Sequence, residues 1–255
     1  MSSNLHLRPA TSFDIPTLAS IGHNAFVNDP IDAHWFPLKA IYPGDYKQSF
    51  INDLELRLLT PGNVIMVVET DSPEGIGRQD SKEIVAYATF VKHGLNPKDY
   101  QGWNPDTLLM KFQRAILHLK TFLATYLLGK HDRSSCPESI SSYFSQAAKI
   151  YQDQIQTISP TSHLPYLEVR ALAVHKLHRR QGHAHHLIAW AQAVASKEQI
   201  PIFGDGSPHA VPLYLKNGAT EIGRMKLDGK SVKIPGNEKE IKIEGTEAVL
   251  MVWKE

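Results

Sequence analysis

The sequence is poor in cysteine and in long apolar runs. Its single cysteine, Cys136, cannot form a disulfide within the chain, which excludes a disulfide-stapled scaffold and favours a reducing compartment. No segment approaches the roughly 18 consecutive apolar residues of a membrane-spanning helix, and the N-terminus lacks the apolar core of a secretory signal peptide. We therefore expect a soluble, cytoplasmic protein with no membrane partner.

The sequence also lacks an excess of charge of either sign. It contains 27 Lys and Arg and 26 Asp and Glu, which gives a formal net charge of +1. Proteins that bind nucleic acids or anionic membranes through their surface charge are usually more basic, so we expect neither partner. Apolar residues make up 42% of the chain, enough for a substantial core, and we expect residues 1–255 to form a single domain.

The most informative stretch combines an apolar run, a basic turn and an amphipathic pattern. Leu167–Val174 is short and apolar enough to be a buried strand, and from Ala184 onward apolar residues recur at helical spacing. The first amides of such a helix have no intrahelical acceptor, and the helix dipole is positive there, so the junction predicts an anion-binding site. Gly182 in the turn would let a phosphate approach the backbone closely.

The turn reads Arg179-x-x-Gly182-x-Ala184, which matches neither a P-loop nor a dinucleotide-binding fingerprint. Placed after a strand and before a helix, it closely resembles the acyl-CoA signature of the GNAT superfamily of N-acetyltransferases, Arg/Gln-x-x-Gly-x-Gly/Ala. The alternative is an ordinary basic turn between a strand and a helix.

A second motif follows at the distance typical of that superfamily. Gly206–Ala219 resembles its closing segment, in which a strand ends in Asn or Ser and a short helix with a Leu/Phe–Tyr pair stops at Asn-Gly. Ser207 and Tyr214 occupy the corresponding positions, and Ala219 replaces a frequent Phe. Together the two motifs span residues 165–225, and the beginning of the chain matches more weakly.

The resemblance implies acetyl-CoA as the co-substrate and also implies where it binds. Backbone amides of the strand would hold the pantetheine arm, the turn would hold the pyrophosphate, and Ser207 would orient the pantetheine or a water molecule. An equally open alternative is that Ser207 caps the helix that follows it. The residues implied in cofactor binding are Leu172, Ala173, Val174, Arg179, Arg180, Gln181, Gly182, His183, Ala184, Ser207 and Tyr214.

The reaction implied is direct acetyl transfer, in which a neutral amine attacks the thioester carbonyl and the leaving thiolate takes up a proton. The resemblance implies Tyr214 as the general acid, with a packing role as the alternative. Glu168 is the candidate base, because it lies four positions before Leu172, where the histone-modifying branch of the superfamily has its catalytic glutamate. An ion pair with Arg170 is the alternative. Strand alternation predicts that four residues share one side: Glu168, Arg170, Leu172 and Val174.

We expect the α/β (α+β) GNAT fold, in which helices flank a central mixed, mostly antiparallel sheet. The predicted strands are residues 5–8, 63–69, 83–92, 167–174, 200–203, 220–225 and 248–253, with a polar loop over 71–82 and a charged hairpin or loop over 226–245. The predicted helices outside the insertion are one that Thr11 or Ser12 caps and that ends at a break over 28–30, then 43–59, a helix from 184 onward and 210–217.

Residues 93–162 do not fit the minimal pattern of the superfamily, and we predict a helical-hairpin insertion there. Asn104 as cap and Pro105 at the first helical position would begin its first helix, and Ser135–Glu138 has the capping-box spacing that would begin its second. The insertion either adds to the core or walls the acceptor site, with Trp103 as an exposed aromatic. The predicted apolar stripes are Leu108, Leu109, Phe112, Ile116, Leu119, Leu123 and Tyr126 in the first helix, and Ile140, Tyr143, Phe144, Ala147, Tyr151 and Ile155 in the second.

Six histidines between His163 and His186 invite a metal-site interpretation. They lack a His-Glu-x-x-His pattern and cysteine partners, and successive helical positions diverge by about 100°, so we predict no metal. The function we predict is transfer of an acetyl group to the primary amine of a small molecule by a monomer or homodimer. The alternatives are a non-catalytic acyl-CoA sensor, which would need neither Glu168 nor Tyr214, and a protein N-acetyltransferase.

Overall fold

The computed structural model describes residues 5–71, 82–94, 103–104, 106–127, 129, 131–158, 165–236 and 238–253. The strands are β1 (His6–Pro9), β2 (Asn63–Asp71), β3 (Lys82–His93), β4 (Tyr166–Val174), β5 (Ile202–Gly206), β6 (Thr220–Leu227), β7 (Lys230–Lys233), β8 (Glu240–Ile243) and β9 (Thr246–Trp253). The helices are α1 (Ile15–Phe26), α2 (Pro30–Trp35), α3 (Pro43–Leu59), α4 (Leu108–Tyr126), α5 (Pro137–Ile158), α6 (His183–Glu198) and α7 (Val211–Lys216). Across the described ranges, none of the helices combines the length and apolar character needed to cross a membrane.

Seven strands form one sheet in the order β1-β2-β3-β4-β5-β9-β6, and β7 and β8 form a separate two-stranded ribbon. Neighbouring strands of the large sheet are antiparallel, except that β4 and β5 run parallel. The predicted mixed, mostly antiparallel sheet is therefore confirmed. The ribbon is a hairpin within residues 226–245, one of the two outcomes predicted there. Of the polar loop predicted over 71–82, residues 72–81 lie outside the described residues, and Asp71 and Lys82 belong to β2 and β3.

Different helices cover the two faces of the sheet, because side chains alternate along each strand. One face packs against α6, where Phe90 of β3 and Leu187 of the helix belong to one core cluster. The opposite face packs against α1 and α3 around Tyr87. Beyond them it packs against α5, where the rings of Phe203 and Tyr151 stack with centroids 4.9 Å apart.

The second helix of the predicted insertion begins and packs much as expected. α5 starts at Pro137, within the predicted capping segment. The residues of the predicted stripe that it buries are Tyr143, Ala147, Tyr151 and Ile155. Because these side chains pack on the same cluster as β5 and β9, α5 extends the core of the sheet.

The first helix of the insertion starts differently from the prediction. Its cap is Thr107, whose Oγ accepts a hydrogen bond from the Met110 amide at 3.2 Å. Asn104 has a φ of 44° and donates its side-chain amide to the Leu58 carbonyl at 3.0 Å, so its prediction as the cap is wrong. Pro105, predicted at the first helical position, lies outside the described residues, as does His163.

The predicted apolar stripe of α4 faces outward. Phe112 is 64% exposed and Tyr126 is 73% exposed, because α4 packs against α3 through its other side, where Arg114 donates to the last carbonyl of α3 at 2.9 Å. Among the described residues, α5 packs against α2 and not against α4, so α4 and α5 do not form the predicted helical hairpin. Trp103 is buried beside Trp190, with ring centroids 5.7 Å apart, and its predicted exposure is also wrong.

A short helix that the sequence analysis does not predict follows α1. Asp29 caps α2, because its Oδ1 accepts hydrogen bonds from the amides of Ile31 at 2.9 Å and Asp32 at 3.3 Å. Pro30 occupies the first helical position. The sequence analysis treats residues 28–30 as a break only, although an Asp followed by Pro is also a helix-start signal.

Candidate functional site

The candidate site lies where the two parallel strands at the centre of the sheet separate. β4 and β5 pair only along the short segment from Leu167 to Val169 of β4. β5 then continues along β9, whereas β4 continues along β3 as far as Val174. Among the strands that the structure describes, none pairs with the β5-facing edge of residues 170–174. A cleft therefore opens in the sheet, and polar backbone groups that need hydrogen-bond partners line its β4 edge.

A bulge in β4 accounts for the separation. Opposite β3, Phe90 pairs with Val169 and Thr89 pairs with Ala171, which leaves Arg170 as an extra residue. A bulge bends its strand and increases the local twist. The end of β4 is thereby turned away from β5.

The bulge also changes which side chains share a face. Leu167 before the bulge packs in the core against α6, and so do Leu172 and Val174 after it, although strict alternation would separate them. Glu168 therefore faces the other side of the sheet. The prediction that Glu168, Arg170, Leu172 and Val174 share one side is wrong. Glu168 and Arg170 do share it, since their side chains form an ion pair of 2.6 Å.

The backbone amides predicted to bind pantetheine point into the cleft. The amide of His175 donates to the Val85 carbonyl of β3 at 2.8 Å. Because amides alternate in direction along a strand, those of Leu172 and Val174 point away from β3 and toward the opening. Ala173 lies between them with its side chain buried on the α1 side of the sheet.

The turn after β4 has the backbone geometry of an anion-binding loop. Arg180 and Gly182 both have positive φ, 62° and 88°, and α6 begins at His183 directly after them. The amides of the first helical turn have no intrahelical acceptor, so they are free to bind an anion. Arg179, Arg180, Gln181 and Gly182 are exposed, and Ala184 is half-buried.

The histidines near this turn point in different directions. His183 is buried at 3% exposure, and burial lowers the pKa of its ring. His185 lies on another side of α6, where its Nδ1 is 2.5 Å from Oδ1 of Asn217. His186 is exposed. Their positions follow the divergence that helical geometry imposes on successive residues.

Tyr214 lies at the β5 edge of the cleft. Its ring is buried in an edge-to-face contact with Trp253, with centroids 5.2 Å apart, and its hydroxyl donates to the Asp205 carbonyl at 3.5 Å. Burial raises the pKa of Tyr214, so the phenol keeps its proton at neutral pH. Gly206 makes room for this arrangement, because a Cβ there would lie 2.8 Å from Cβ of Ala210 and 3.2 Å from the tyrosine ring.

Ser207 connects β5 to the start of α2. It is 3% exposed, and its Oγ donates to Oδ2 of Asp29 at 2.6 Å. Asp29 also caps α2, so one carboxylate links the two segments. The alternative that Ser207 caps the helix after it is wrong, because the cap position of α7 is Ala210. Sequence analysis missed Asp29, whose only local signal is its position before Pro30.

Glu168 is a buried carboxylate with two partners. It is 3% exposed, and its oxygens lie 2.6 Å from Nε2 of His93 and 2.6 Å from Nη1 of Arg170. Burial alone would raise the pKa of Glu168, but the His93 hydrogen bond and the Arg170 charge outweigh it and lower the pKa. The ion pair that sequence analysis left as the alternative is therefore present.

A second carboxylate in the cleft, Asp205, was missed by sequence analysis. It is partly buried on the α5 side of β5, where it accepts hydrogen bonds from the hydroxyls of Tyr143 and Tyr151, the latter at 3.0 Å. Burial raises the pKa of Asp205 to about 6, the charge of Glu168 adds to the rise, and the two tyrosines oppose it. A carboxyl group that titrates close to neutral pH in a cleft is typical of a functional site.

Aromatic side chains from α2 and α5 wall this side of the cleft. The guanidinium of Arg170 lies 3.5 Å from the ring centroid of Phe144, and Trp35 packs edge-to-face on Tyr143 at 4.9 Å. Among the described residues of this wall, Nε of Arg170 and Nε1 of Trp35 are buried donors without a hydrogen-bond partner. Buried polar groups normally have partners, so this wall offers unused hydrogen-bonding capacity.

Comparison with known proteins gives matches among solved structures only. No protein-family model and no curated protein matches the sequence. The crystal structure of the histone acetyltransferase HPA2 and related acetyltransferase from Corynebacterium glutamicum is 18% identical, covers 100% of this chain and 97% of its own, and has a TM-score of 0.53. This likeness shows that the two chains share a fold.

Two further matches have lower TM-scores. The polyamine N-acetyltransferase of Drosophila melanogaster, which forms N-acetylagmatine, is 11% identical over 99% of this chain and 100% of its own, with a TM-score of 0.49. Arylalkylamine N-acetyltransferase 2 from Aedes aegypti is 12% identical over 98% of each chain, also with a TM-score of 0.49. At these values the likenesses add nothing to the assignment of the fold.

The two carboxylates should contribute to stability with opposite dependence on pH. Asp205 has a raised pKa in the folded state, so its contribution is complete below its unfolded value of 3.8 and is lost as the pH rises through about 6. Asp205→Asn should therefore gain stability relative to wild type between pH 4 and pH 7, by an amount on the order of 2–3 kcal/mol. The measurement is the free energy of unfolding in urea across this range.

Glu168→Gln is the matched control for this prediction. The pKa of Glu168 is lowered, so its own ionisation should make wild type gain stability relative to Glu168→Gln as the pH rises toward 4.5. Above that pH, only the smaller change that the lost charge makes in the pKa of Asp205 should alter the difference. A difference between Asp205→Asn and wild type that stays constant from pH 4 to pH 7 would contradict the raised pKa of Asp205.

Proposed function

Because the chain has the GNAT fold, we propose that it is an enzyme, an acetyl-CoA-dependent N-acetyltransferase whose acceptor is the primary amine of a small molecule. The observation that carries the proposal is the cleft between β4 and β5, which has the turn 179–184 at one edge and Tyr214 at the other. A single cysteine suits a reducing compartment, so we propose that the enzyme acts in the cytoplasm.

Acetyl-CoA has the chemistry that this cleft offers to bind. Its pantetheine arm carries amide groups. The backbone amides of Leu172 and Val174 would donate hydrogen bonds to the carbonyls of these groups, as they would to a neighbouring strand. Its diphosphate suits the free amides at the start of α6 and the exposed guanidinium groups of Arg179 and Arg180. In the described part of the chain, no heavy atom other than those of its chain neighbours lies within 4 Å of the position a Cβ would take at Gly182, so the diphosphate has room to approach the backbone.

We assign the general acid to Tyr214, as the sequence motif implies. Its phenol keeps its proton at neutral pH because burial raises its pKa. When the amine nitrogen has attacked the thioester carbonyl and the carbon–sulfur bond breaks, the phenol gives its proton to the departing sulfur. Solvent then returns a proton to the phenolate.

We assign the base to Asp205 in place of Glu168. When their environments give two carboxyl groups different pKa values, the two groups can take different roles in acid–base catalysis. Glu168 is already committed to His93 and Arg170, whereas the pKa of Asp205, raised to about 6, leaves it ionised at neutral pH and able to accept a proton. Asp205 would take the proton from the acceptor ammonium, directly or through water, and the charge of Glu168 would tune its pKa.

The wall formed by Trp35, Tyr143 and Phe144 suits an acceptor with an apolar or aromatic body. The carboxylate of Asp205 attracts an ammonium group, and aromatic faces bind both cations and apolar groups. The unpartnered donors of Trp35 and Arg170 would bind oxygen atoms of the acceptor. On this proposal α5 is the part of the insertion that walls the acceptor side, and α4 has no part in the site.

The two alternatives differ in which residues they require. A non-catalytic acyl-CoA sensor would need the turn 179–184 but would need neither a protonated Tyr214 nor a carboxylate of raised pKa at Asp205. A protein N-acetyltransferase would need an acceptor side open to a polypeptide, where α2 and α5 cover the sheet. The small-molecule enzyme therefore accounts for more of the observed side chains.

Gly182→Glu should remove most of the affinity for CoA, because the new side chain would occupy the diphosphate position with a like charge. Gly236→Glu is the matched control, since Gly236 has a φ of 74° against 88° at Gly182 and the same open Cβ position among the described residues. Both variants carry similar backbone strain, so only the position differs. Titration calorimetry with CoA measures the affinities, and equal affinities in the two variants would exclude the turn as the binding site.

Tyr214→Phe should lower kcat by roughly 10²-fold or more and leave CoA affinity nearly unchanged, because it removes only the transferable proton. The ring and its contact with Trp253 remain, so the fold should be preserved. Release of free CoA with a panel of small amines measures kcat. Full kcat in a reaction limited by chemistry would mean that Tyr214 serves packing alone.

Asp205→Asn and Glu168→Gln should affect the pH–rate profile differently. Activity of the wild type should rise with pH through about 6 as Asp205 ionises. Asp205→Asn should lose most activity together with this rise. Glu168→Gln should keep the rise but move it to lower pH, since the charge that raises the pKa of Asp205 is gone. If the rise is lost in Glu168→Gln and kept in Asp205→Asn, Glu168 is the base, as the resemblance implied.

A further inference from the structure

Helix α4 presents its apolar side to the outside of the molecule. Eight of its large apolar side chains and that of Leu127, which follows the helix, are between 39% and 84% exposed. They are Leu108, Leu109, Phe112, Ile116, Leu119, Phe122, Leu123, Tyr126 and Leu127. We call this set the α4 face. Surface helices normally turn an apolar side toward the core. The apolar side chains of the α4 face therefore lack the packing partner that such side chains usually have.

The spacing within the α4 face is that of a helix that packs against another helix. Six residues alternate between steps of three and four, which places them at the a and d positions of successive heptads: Leu109, Phe112, Ile116, Leu119, Leu123 and Tyr126. Leu108, Ala115 and Phe122 extend the stripe along one side. A stripe of this width is typical of a helix in a bundle.

The charged residues of α4 form ion pairs with carboxylates of the same chain. Arg114 lies 2.7 Å from Asp106, Lys111 lies 3.4 Å from the same carboxylate, and Lys120 lies 3.6 Å from Glu55 of α3. The helix contains no Asp or Glu of its own. The α4 face is therefore uncharged, and two copies of it can meet without like-charge repulsion.

The size of the α4 face matches a protein interface. Its exposed area is on the order of 1,000 Å², beyond the few hundred Å² of an apolar patch on an ordinary monomer and comparable to the roughly 800 Å² that each partner buries in a stable interface. We propose that α4 pairs with α4 of a second copy of this chain about a two-fold axis, with α3 packed behind each α4.

The test compares two variants that introduce the same charge at exposed positions of α4. Leu119→Glu places carboxylates in the centre of the α4 face, and Thr121→Glu, on the opposite side of the helix, is the matched control. Analytical ultracentrifugation of the full chain should give twice the 28.5 kDa chain mass for wild type and Thr121→Glu. Leu119→Glu should raise the dimer dissociation constant roughly 100-fold or more, because two buried carboxylates would lack partners.

Two further measurements keep the proposal open to refutation if Leu119→Glu fails to fold. The melting temperature of wild type should rise with protein concentration, as it does when association stabilises the folded state. A wild type that remains monomeric at about 50 µM, roughly fifty times a micromolar dissociation constant, would overturn the proposal. Monomeric wild type that co-sediments with phosphatidylserine–phosphatidylcholine vesicles would also overturn it, and would assign the α4 face to a bilayer.

Discussion

The brief pairing between β4 and β5 is the constraint on which the candidate site depends. Inside a continuous sheet each strand edge is paired, so a ligand meets side chains only. Because β4 leaves β5 after Val169 and bends at Arg170, backbone groups of β4 reach a cleft. Since the two strands are parallel, the segments that follow them begin at the same edge of the sheet. The turn 179–184 and the helix that carries Tyr214 are therefore neighbours of one opening.

Electrostatic coupling across this cleft links its two carboxylates. The hydrogen bond with His93 and the ion pair with Arg170 keep Glu168 charged, and that charge makes ionisation of Asp205 less favourable. Two hydroxyls from α5, those of Tyr143 and Tyr151, supply the hydrogen bonds that a half-buried carboxylate requires. α5 therefore contributes buried side chains to the core and hydrogen-bond donors to the candidate site. A carboxylate of this kind is costly for folding and useful for proton transfer.

The two helices of the predicted insertion show what hydrophobic periodicity predicts and what it does not. Apolar side chains recur at helical spacing in both α4 and α5, and both helices form within the predicted segment, although α4 begins at Leu108 and not at Pro105. In α5 the stripe is buried against the sheet, while in α4 the stripe is exposed. Periodicity establishes that a helix has an apolar side, but the partner of that side depends on where the chain places the helix. For this reason the sequence did not predict that α4 and α5 would pack on different parts of the molecule.

Features set by neighbouring residues were determined by the sequence alone. They include the bounds of α3, the apolar stripe of α5 and the glycine-bearing turn at the start of α6. The tertiary structure decided the rest. The bulge at Arg170 depends on the register with β3. Asp205 meets Tyr143 and Tyr151 from 62 and 54 residues away, and Ser207 meets Asp29 from 178 residues away. Register and long-range contacts form only when distant segments pack, so no local pattern contains them.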